Sequence, residues 1–169
     1  MVNKVLCREI GEYLWQGGAT LSTAESCTAG AVAAAIASVP GASNYFMGGV
    51  VSYTDEVKTR LLKVPEPLLQ KHGAVSEEVA ISMAEGARQE LGTDYAVATT
   101  GFAGPRGGWE APVGTIWIAI ATPTATETRM LSGDDGREAN LMRAVIVALE
   151  MLRARLQADF SCPETDERG

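Results

Sequence analysis

The chain has 169 residues, of which 46% are hydrophobic and 21% charged, and its formal net charge is −7. This length and composition predict one soluble globular domain with a sizeable core. A sequence-independent nucleic-acid surface needs clustered lysines and arginines, and the chain has no basic run of five residues. We therefore expect no nucleic-acid partner.

The cysteines and the histidine limit which metal sites, disulfides and catalytic groups are possible. Cys7, Cys27 and Cys162 are scattered, which gives no disulfide framework or zinc spacing and fits a reducing compartment. The single histidine, His72, excludes a histidine-rich metal site. The sequence shows no signal peptide and no apolar run of membrane-spanning length. The expectation is a cytoplasmic protein that acts on small molecules, without a membrane partner.

In chain order, helices alternate with β-prone runs. The opening helix has Leu6, Ile10 and Leu14 at helical spacing and ends at Gly17-Gly18. The later segments predict a strand that ends at 25–26, helix 31–38, strand 46–54, helices 55–62, 65–71 and 76–91, strand 94–99, a hairpin of strands 113–121 and 124–131, and helix 137–158. This order predicts a three-layer α/β/α sandwich around a mixed, mostly parallel sheet. One domain spans 1–160, and 161–169 is expected to be a polar, disordered tail.

Three strand-to-loop junctions attract attention: 26–28, 53–58 and 100–104. Ligands of open α/β sheets collect beyond the carboxyl ends of strands. If the three strands are parallel neighbours, a hydroxyl, a phenol, an amine and a glycine loop meet at one edge. The sequence spacing does not show whether these three strands are neighbours in the sheet.

The first junction combines a strand end with a helix start. Such a turn aims unpaired helix N–H groups at the strand's last side chains, which suits an anion or a developing oxyanion. Ser26, Cys27 and Thr28 are the candidate nucleophiles. The alternative for Ser26 or Thr28 is a helix N-cap, and for Cys27 it is packing against the sheet.

Lys58 lies one turn into a predicted helix, whose positive end tends to lower its pKa. A lysine near 10.4 must be depressed by about three units, or roughly 4 kcal/mol, before it is a base at neutral pH. Ser26 with a neutral Lys58 would form a serine–lysine dyad for acyl transfer. The alternative is a solvated helix charge. Tyr53 can support such a dyad or be a half-buried strand residue, and the Thr100-Gly101 turn can offer oxyanion N–H groups or be a plain turn.

Two further residues have open roles. Arg137 opens the last helix, where the dipole disfavours a cation, so it indicates either an anionic ligand such as phosphate or a surface salt bridge. His72 lies in a turn and is interpreted as structural.

Five segments in this order resemble the CinA C-terminal domain family: 24–28 (AESCT), 49–58 (GVVSYTDEVK), 72–76 (HGAVS), 100–105 (TGFAGP) and 112–115 (PVGT). Stand-alone members of that family are nicotinamide-nucleotide amidohydrolases. The resemblance covers roughly residues 6–156. It implies hydrolysis of the carboxamide of nicotinamide mononucleotide to nicotinate mononucleotide and ammonia, in pyridine-nucleotide salvage, without a metal or other cofactor.

The resemblance also implies site roles. Ser26 is similar to the family's nucleophile, Lys58 to its general base and Tyr53 to its supporting phenol. The expected substrate-binding residues are Cys27, Thr28, Thr100, Gly101 and Arg137.

The sequence departs from the family pattern at three places. Segment 132–137 (SGDDGR) is longer than the usual Gly-Asp-Arg, so Arg143 is an alternative to Arg137 as the phosphate ligand. Ala29 replaces a usual glycine and can narrow the pocket or alter the backbone near Ser26. Phe102 stands where an aliphatic residue is common and can change which ring or ribose is accepted.

Other functions remain open at this point. The runner-up is a nucleotide-binding or interaction module of the same fold without turnover, and a third hypothesis is hydrolysis of a different amide. We expect a homo-oligomer. The apolar face of the last helix can serve either the core or a subunit contact, and the sequence leaves this choice open.

Overall fold

The structure is a computed structural model, and it describes residues 4–161. Residues 162–169, which include Cys162 and most of the predicted tail, lie outside this range. The elements are α1 Lys4–Gln16, β1 Leu21–Glu25, α2 Ala31–Ala37, β2 Phe46–Val51, α3 Asp55–Leu62, α4 Glu66–His72, α5 Glu77–Glu90, β3 Tyr95–Gly101, β4 Ile116–Ala121, β5 Thr126–Leu131 and α6 Arg137–Phe160. Each predicted helix and strand is present, with bounds that differ by a few residues.

Five strands form one mixed sheet in the order β2-β1-β3-β4-β5. β1 is parallel to both β2 and β3, whereas β4 is antiparallel to β3 and β5. Four strands therefore run in one direction and β4 alone runs in the other. The carboxyl ends of β1, β2 and β3 lie side by side, which is the adjacency that the sequence left open.

The two faces of the sheet carry side chains of different size. Toward α1, α2 and α6 the strands present mainly branched residues, including Val97, Ile118 and Ile120. Toward α3, α4 and α5 they present alanines: Ala24, Ala96, Ala98, Ala119 and Ala121. Side chains alternate between the faces of a strand, so each strand contributes to both cores. The result is the predicted three-layer α/β/α sandwich, with the apolar face of α6 buried in one of its cores.

Two glycines allow close backbone approaches near the site edge. A Cβ at Gly49 would clash with the Thr23 side chain on β1, and a Cβ at Gly86 would clash with the Leu62 carbonyl at the end of α3. The β1–β2 register shifts beside this point, between Leu21 and Ser22. Glycine within a strand is typical of such a bulge. These contacts fix β2, which leads into Tyr53, and α3, which carries Lys58.

Residues 4–161 include no helix whose length and apolarity suit a membrane crossing.

Candidate active site

A cavity of about 240 Å³ lies at the joined carboxyl ends of β1, β2 and β3. Seven of the eight predicted site residues line it: Ser26, Cys27, Tyr53, Lys58, Thr100, Gly101 and Arg137. The eighth, Thr28, does not. The three junctions singled out in the sequence thus form one site, because the strand order places their ends next to one another.

Ser26 and Lys58 are in direct contact in this cavity. The Lys58 Nζ donates a hydrogen bond to the Ser26 Oγ at 3.0 Å and a second to the Ser52 carbonyl at 2.9 Å. Lys58 is 1% exposed and Ser26 is 8% exposed. The solvated-charge alternative for Lys58 is therefore wrong: the amine is buried and faces a hydroxyl and a carbonyl.

Burial lowers the pKa of Lys58, because the charged ammonium loses hydration. The negative charge of Asp55 opposes this and raises the pKa, as does Cys27 to a smaller extent. Asp55 Oδ1 lies 4.0 Å from the Lys58 Nζ, and the Asp55 side chain is 62% exposed. Water therefore screens the carboxylate, and desolvation remains the larger effect.

Glu25 holds the turn that presents Ser26. Its buried carboxylate accepts hydrogen bonds from the N–H groups of Val32 and Ala33 at 2.7 and 3.0 Å, and from the Thr28 hydroxyl at 2.7 Å. The N-cap residue of α2 is Gly30, without a side-chain cap. The capping alternative is therefore wrong, because neither Ser26 nor Thr28 caps α2. N–H groups of α2 do meet the last side chain of β1, as expected, but the anion that they bind is the Glu25 carboxylate and not a ligand in the cavity.

Thr28 belongs to the support of this turn. Its hydroxyl bonds to Glu25 and to the Thr99 Oγ1, the latter at 2.7 Å, and its side chain is buried. The predicted contact of Thr28 with substrate is not supported by this placement, since Thr28 does not line the cavity. Sequence position alone cannot separate a lining hydroxyl from one that points into the protein.

The Cys27 thiol is buried in the core under α2. Burial raises its pKa to about 12, although the backbone N–H groups of Cys27 and Thr28 act in the opposite direction. A protonated thiol is a weak nucleophile at neutral pH. Of the two readings offered by the sequence, this placement favours a packing role for the side chain.

The backbone at Gly101 offers a donor to the cavity. The Ser26 N–H donates to the Thr99 carbonyl at 2.9 Å, and the Phe102 N–H donates to Thr115 at 2.9 Å on the β4 side. Strand N–H groups alternate in direction, so that of Gly101 points to the β1 side, past the last β1–β3 pair and beside Ser26. The Thr100 hydroxyl donates instead to the Ala74 carbonyl at 2.7 Å. The Gly101 N–H is thus directed to the β1 side of the cavity, while the Thr100 side chain bonds to the neighbouring loop.

Arg137 reaches the cavity, whereas its alternative Arg143 does not. Arg137 Nη1 donates to the Gly104 carbonyl at 2.7 Å, and Nη2 donates to the Tyr53 hydroxyl at 3.2 Å. Arg143 binds Asp135 at 3.4 Å and the Gly133 carbonyl at 2.8 Å. Tyr53 is 54% exposed and, among the described residues, bonds to Arg137 rather than to the Ser26–Lys58 pair.

The sequence analysis missed three residues of this site. Asp55 and Arg106 line the cavity. Asn140 is fully buried, and its amide donates to the Ala103 carbonyl at 3.0 Å and to Asp134 at 2.8 Å, while its Oδ1 accepts from the Asp135 N–H at 3.1 Å. It therefore ties the glycine loop after β3 to the start of α6. Its signal in the sequence is a polar residue on the apolar face of a helix.

Three other residues discussed in the sequence analysis lie either in the cavity or outside it. Phe102 lines the cavity. Ala29 is exposed and outside it, with φ 51°, a left-handed conformation that favours glycine. Its methyl group therefore affects the backbone rather than narrowing the pocket. His72 pairs with Glu78 at 3.4 Å and does not line the cavity, as its structural interpretation requires.

A family model described as the CinA C-terminal domain matches residues 3–156. Among curated proteins, the chain is 51% identical over 148 residues to a CinA-like protein of Parasynechococcus marenigrum, covering 86% of this chain and 35% of that protein. It is 50% identical over 165 residues to a putative competence-damage inducible protein of Symbiobacterium thermophilum, covering 90% of this chain and 38% of that protein. The chain thus spans little more than a third of the length of these relatives.

Solved structures of CinA-type proteins are also similar to this chain in fold. The competence damage-inducible protein A of Klebsiella pneumoniae superposes with a TM-score of 0.88 at 36% identity, over 92% of this chain and 98% of that one. The competence/damage inducible protein CihA of Agrobacterium tumefaciens gives a TM-score of 0.87 at 37% identity, over 91% and 97% of the respective chains.

Proposed function

The chain belongs to the CinA C-terminal domain family, and on that premise we propose that it is an amidohydrolase acting on the carboxamide of nicotinamide mononucleotide. The single observation that supports catalysis is the 3.0 Å hydrogen bond between the buried Lys58 Nζ and the Ser26 Oγ. A hydroxyl nucleophile needs a base within hydrogen-bond reach, and a desolvated amine supplies one. The substrate is inferred from the family resemblance.

Acylation begins with a neutral Lys58. Its lone pair takes the Ser26 hydroxyl proton as the Oγ attacks the carboxamide carbon, and the carbonyl oxygen becomes an oxyanion. The N–H groups of Gly101 and Cys27 are the candidate donors to that oxyanion. Lys58 then returns the proton to the amide nitrogen, the C–N bond breaks, and ammonia leaves an ester on Ser26.

Deacylation repeats the cycle with water. Lys58 takes a proton from the attacking water, the ester bond to the Ser26 Oγ breaks, and the proton passes back to that oxygen. The products are nicotinate mononucleotide and the free enzyme. The second hydrogen bond of Lys58, to the Ser52 carbonyl, holds the amine in place during both steps.

Arg137 is proposed as a ligand of the substrate phosphate. Its two hydrogen bonds, to Gly104 and Tyr53, fix the guanidinium at the cavity. A guanidinium binds phosphate through charge-assisted hydrogen bonds. Tyr53 acts through Arg137 in this scheme and orients it, which is a different support from the contact with the dyad that the sequence analysis considered.

The direct test is ammonia release from nicotinamide mononucleotide by the purified protein, Ser26→Ala, Lys58→Met and Lys58→Arg. We expect all three variants to lose at least about a thousandfold in kcat, since nucleophile and base act as a unit. Lys58→Arg keeps a donor and a charge but cannot be deprotonated, so it separates base catalysis from mere charge. Lys71→Met, at an exposed position of α4 outside the cavity, is the matched control.

The outcomes separate the competing functions. Turnover near wild type in Ser26→Ala or Lys58→Met would refute the dyad. Ammonia from other carboxamides but not from the mononucleotide would favour a different amidohydrolase. Binding of the mononucleotide without any ammonia would favour the module without turnover.

A further inference from the structure

The cavity is locally positive although the chain carries a net charge of −7. Its lining includes three basic residues, Lys58, Arg106 and Arg137, and one acidic residue, Asp55. Asp55 lies 4.0 Å from the Lys58 Nζ and offsets whatever charge that amine carries. The two guanidinium charges of Arg106 and Arg137 are left without a carboxylate among the residues that line the cavity.

Arg137 and Arg106 differ in the number of hydrogen bonds that they make within the protein. Arg137 donates to Gly104 and Tyr53 and so has a fixed orientation. Arg106 has no hydrogen-bond or ion-pair partner within residues 4–161. A guanidinium has five N–H donors in a planar fork. All five donors of Arg106 are therefore free to bind a ligand without breaking a contact inside the protein.

The loop that carries Arg106 has a defined path. The Gly108 N–H donates to the Ala111 carbonyl at 3.0 Å, and the Phe102 ring packs against Gly108 closely enough to exclude a Cβ. Glu110 Oε1 accepts from the Val75 N–H at 3.2 Å and ties the far side of the loop to the residues before α5. These contacts hold the backbone that follows Arg106, so its exposed side chain extends from a fixed position at the rim of the cavity.

We propose that Arg106 and Arg137 together form a two-arginine clamp for a phosphate monoester, and that Arg106 makes the site selective for phosphorylated over unphosphorylated ligands. This inference rests on the proposed function for the identity of the rest of the ligand. A phosphate monoester carries between one and a half and two negative charges at neutral pH, because its second pKa is about 6. Arginine stays charged and pairs with phosphate through two parallel N–H groups. Two arginines match that charge, whereas a nucleoside without phosphate leaves both guanidinium groups without an anionic partner.

The test compares Arg106→Gln with the control Arg129→Gln. Arg129 is exposed on β5 and does not line the cavity, so both variants remove one positive charge from the surface. The ratio of kcat/KM for nicotinamide mononucleotide to that for nicotinamide riboside is measured for each. We expect Arg106→Gln to lower the ratio about tenfold, the loss typical of one charge-assisted hydrogen bond. Arg106→Lys, which keeps the charge, is expected to lower it less, and Arg129→Gln is expected to leave it unchanged.

A binding measurement keeps the clamp testable if the proposed reaction fails. Isothermal titration with ribose 5-phosphate and with ribose needs no turnover. We expect the wild type to prefer the phosphorylated sugar and Arg106→Gln to lose about tenfold of that preference. Equal preference in Arg106→Gln and Arg129→Gln would show a solvated arginine and overturn the clamp. If the wild type releases no ammonia but still binds ribose 5-phosphate in preference to ribose, and Arg106→Gln weakens that preference, the proposed reaction is refuted and the clamp is not.

Discussion

Asp55→Asn is expected to shift the pH–rate profile toward lower pH. The Asp55 carboxylate lies 4.0 Å from the Lys58 Nζ and raises the pKa of Lys58, in opposition to burial. Removing the carboxylate leaves burial less opposed, so the pKa of Lys58 falls further. A larger fraction of the amine is then neutral at any pH on the acidic side of the profile. Because kcat/KM on that side is proportional to the neutral amine, it rises.

The size of the effect follows from the distance and the exposure. Two unit charges at this separation interact by about 1 kcal/mol in water and about 4 kcal/mol at an effective dielectric constant near 20. Asp55 is 62% exposed, so the smaller value applies. An interaction of ~1 kcal/mol corresponds to about a fivefold rise in kcat/KM at low pH. Above the pKa the gain vanishes, and a less basic amine gives an equal or slightly lower plateau.

Glu56→Gln is the matched control. Glu56 stands next to Asp55 in the first turn of α3, pairs with Arg60 at 3.7 Å and does not line the cavity. Both substitutions remove one negative charge from the helix N-terminus and should cost about 0.5 kcal/mol of stability. The assay is ammonia release between pH 5 and 9 at low ionic strength, since salt screens the exposed carboxylate. An Asp55→Asn profile that superimposes on that of Glu56→Gln, or moves to higher pH, would refute the electrostatic reasoning.

Three further substitutions or treatments test the environment of the site. Ser52→Ala should stabilise the protein by about 1 kcal/mol in denaturant titration, because the Ser52 hydroxyl is buried without a hydrogen-bond partner among the described residues. Iodoacetamide at pH 8 should leave Cys27 unmodified in the folded protein and modify it in urea, as peptide mass spectrometry can show, because burial raises the pKa of Cys27 to about 12. Asn140→Ala should cost roughly 2–3 kcal/mol, because it leaves buried partners unpaired. The same variant should raise KM more than it lowers kcat, since the tie that positions Arg137 is lost; an unchanged KM would assign Asn140 to stability alone.

The fold was predictable because its signals are local. Thr54 caps α3 with its side chain, which accepts from the Val57 N–H at 3.4 Å, and a threonine just before a helical run is such a local signal. Hydrophobic periodicity and glycine stops placed the other elements within a few residues of their bounds. The meeting of the three strand ends needed more than periodicity, because strand order is a tertiary property. Residue chemistry and the family resemblance both suggested a Ser26–Lys58 dyad, but the structure was needed to show the two side chains in contact.

Two questions that the sequence left open depend on which polar groups bind the same donors or acceptors. Thr28 and Ser26 both had suitable chemistry for capping α2, but Glu25 reaches the N–H groups of Val32 and Ala33 first. Arg143, the alternative to Arg137, is likewise held by neighbouring acceptors: it bonds to Asp135 and to the Gly133 carbonyl and does not line the cavity. A sequence shows which side chains can make such bonds, and the folded chain decides which of them do.

The binding of Glu25 to the N–H groups of Val32 and Ala33 has a consequence for the proposed reaction. A helix N-terminus aimed at the cavity would stabilise an oxyanion, but it would also be available to a carboxylate or phosphate that bound in the wrong place. With Glu25 on those N–H groups, the positive end of α2 is compensated inside the protein. In the proposed reaction, stabilisation of the transition-state charge would then depend on single N–H groups near Ser26, among which that of Gly101 belongs to a strand. A Cβ at position 101 would meet Ile116 on β4 at 2.5 Å, so the same glycine that offers the donor also allows β4 to lie close enough to hold it in place.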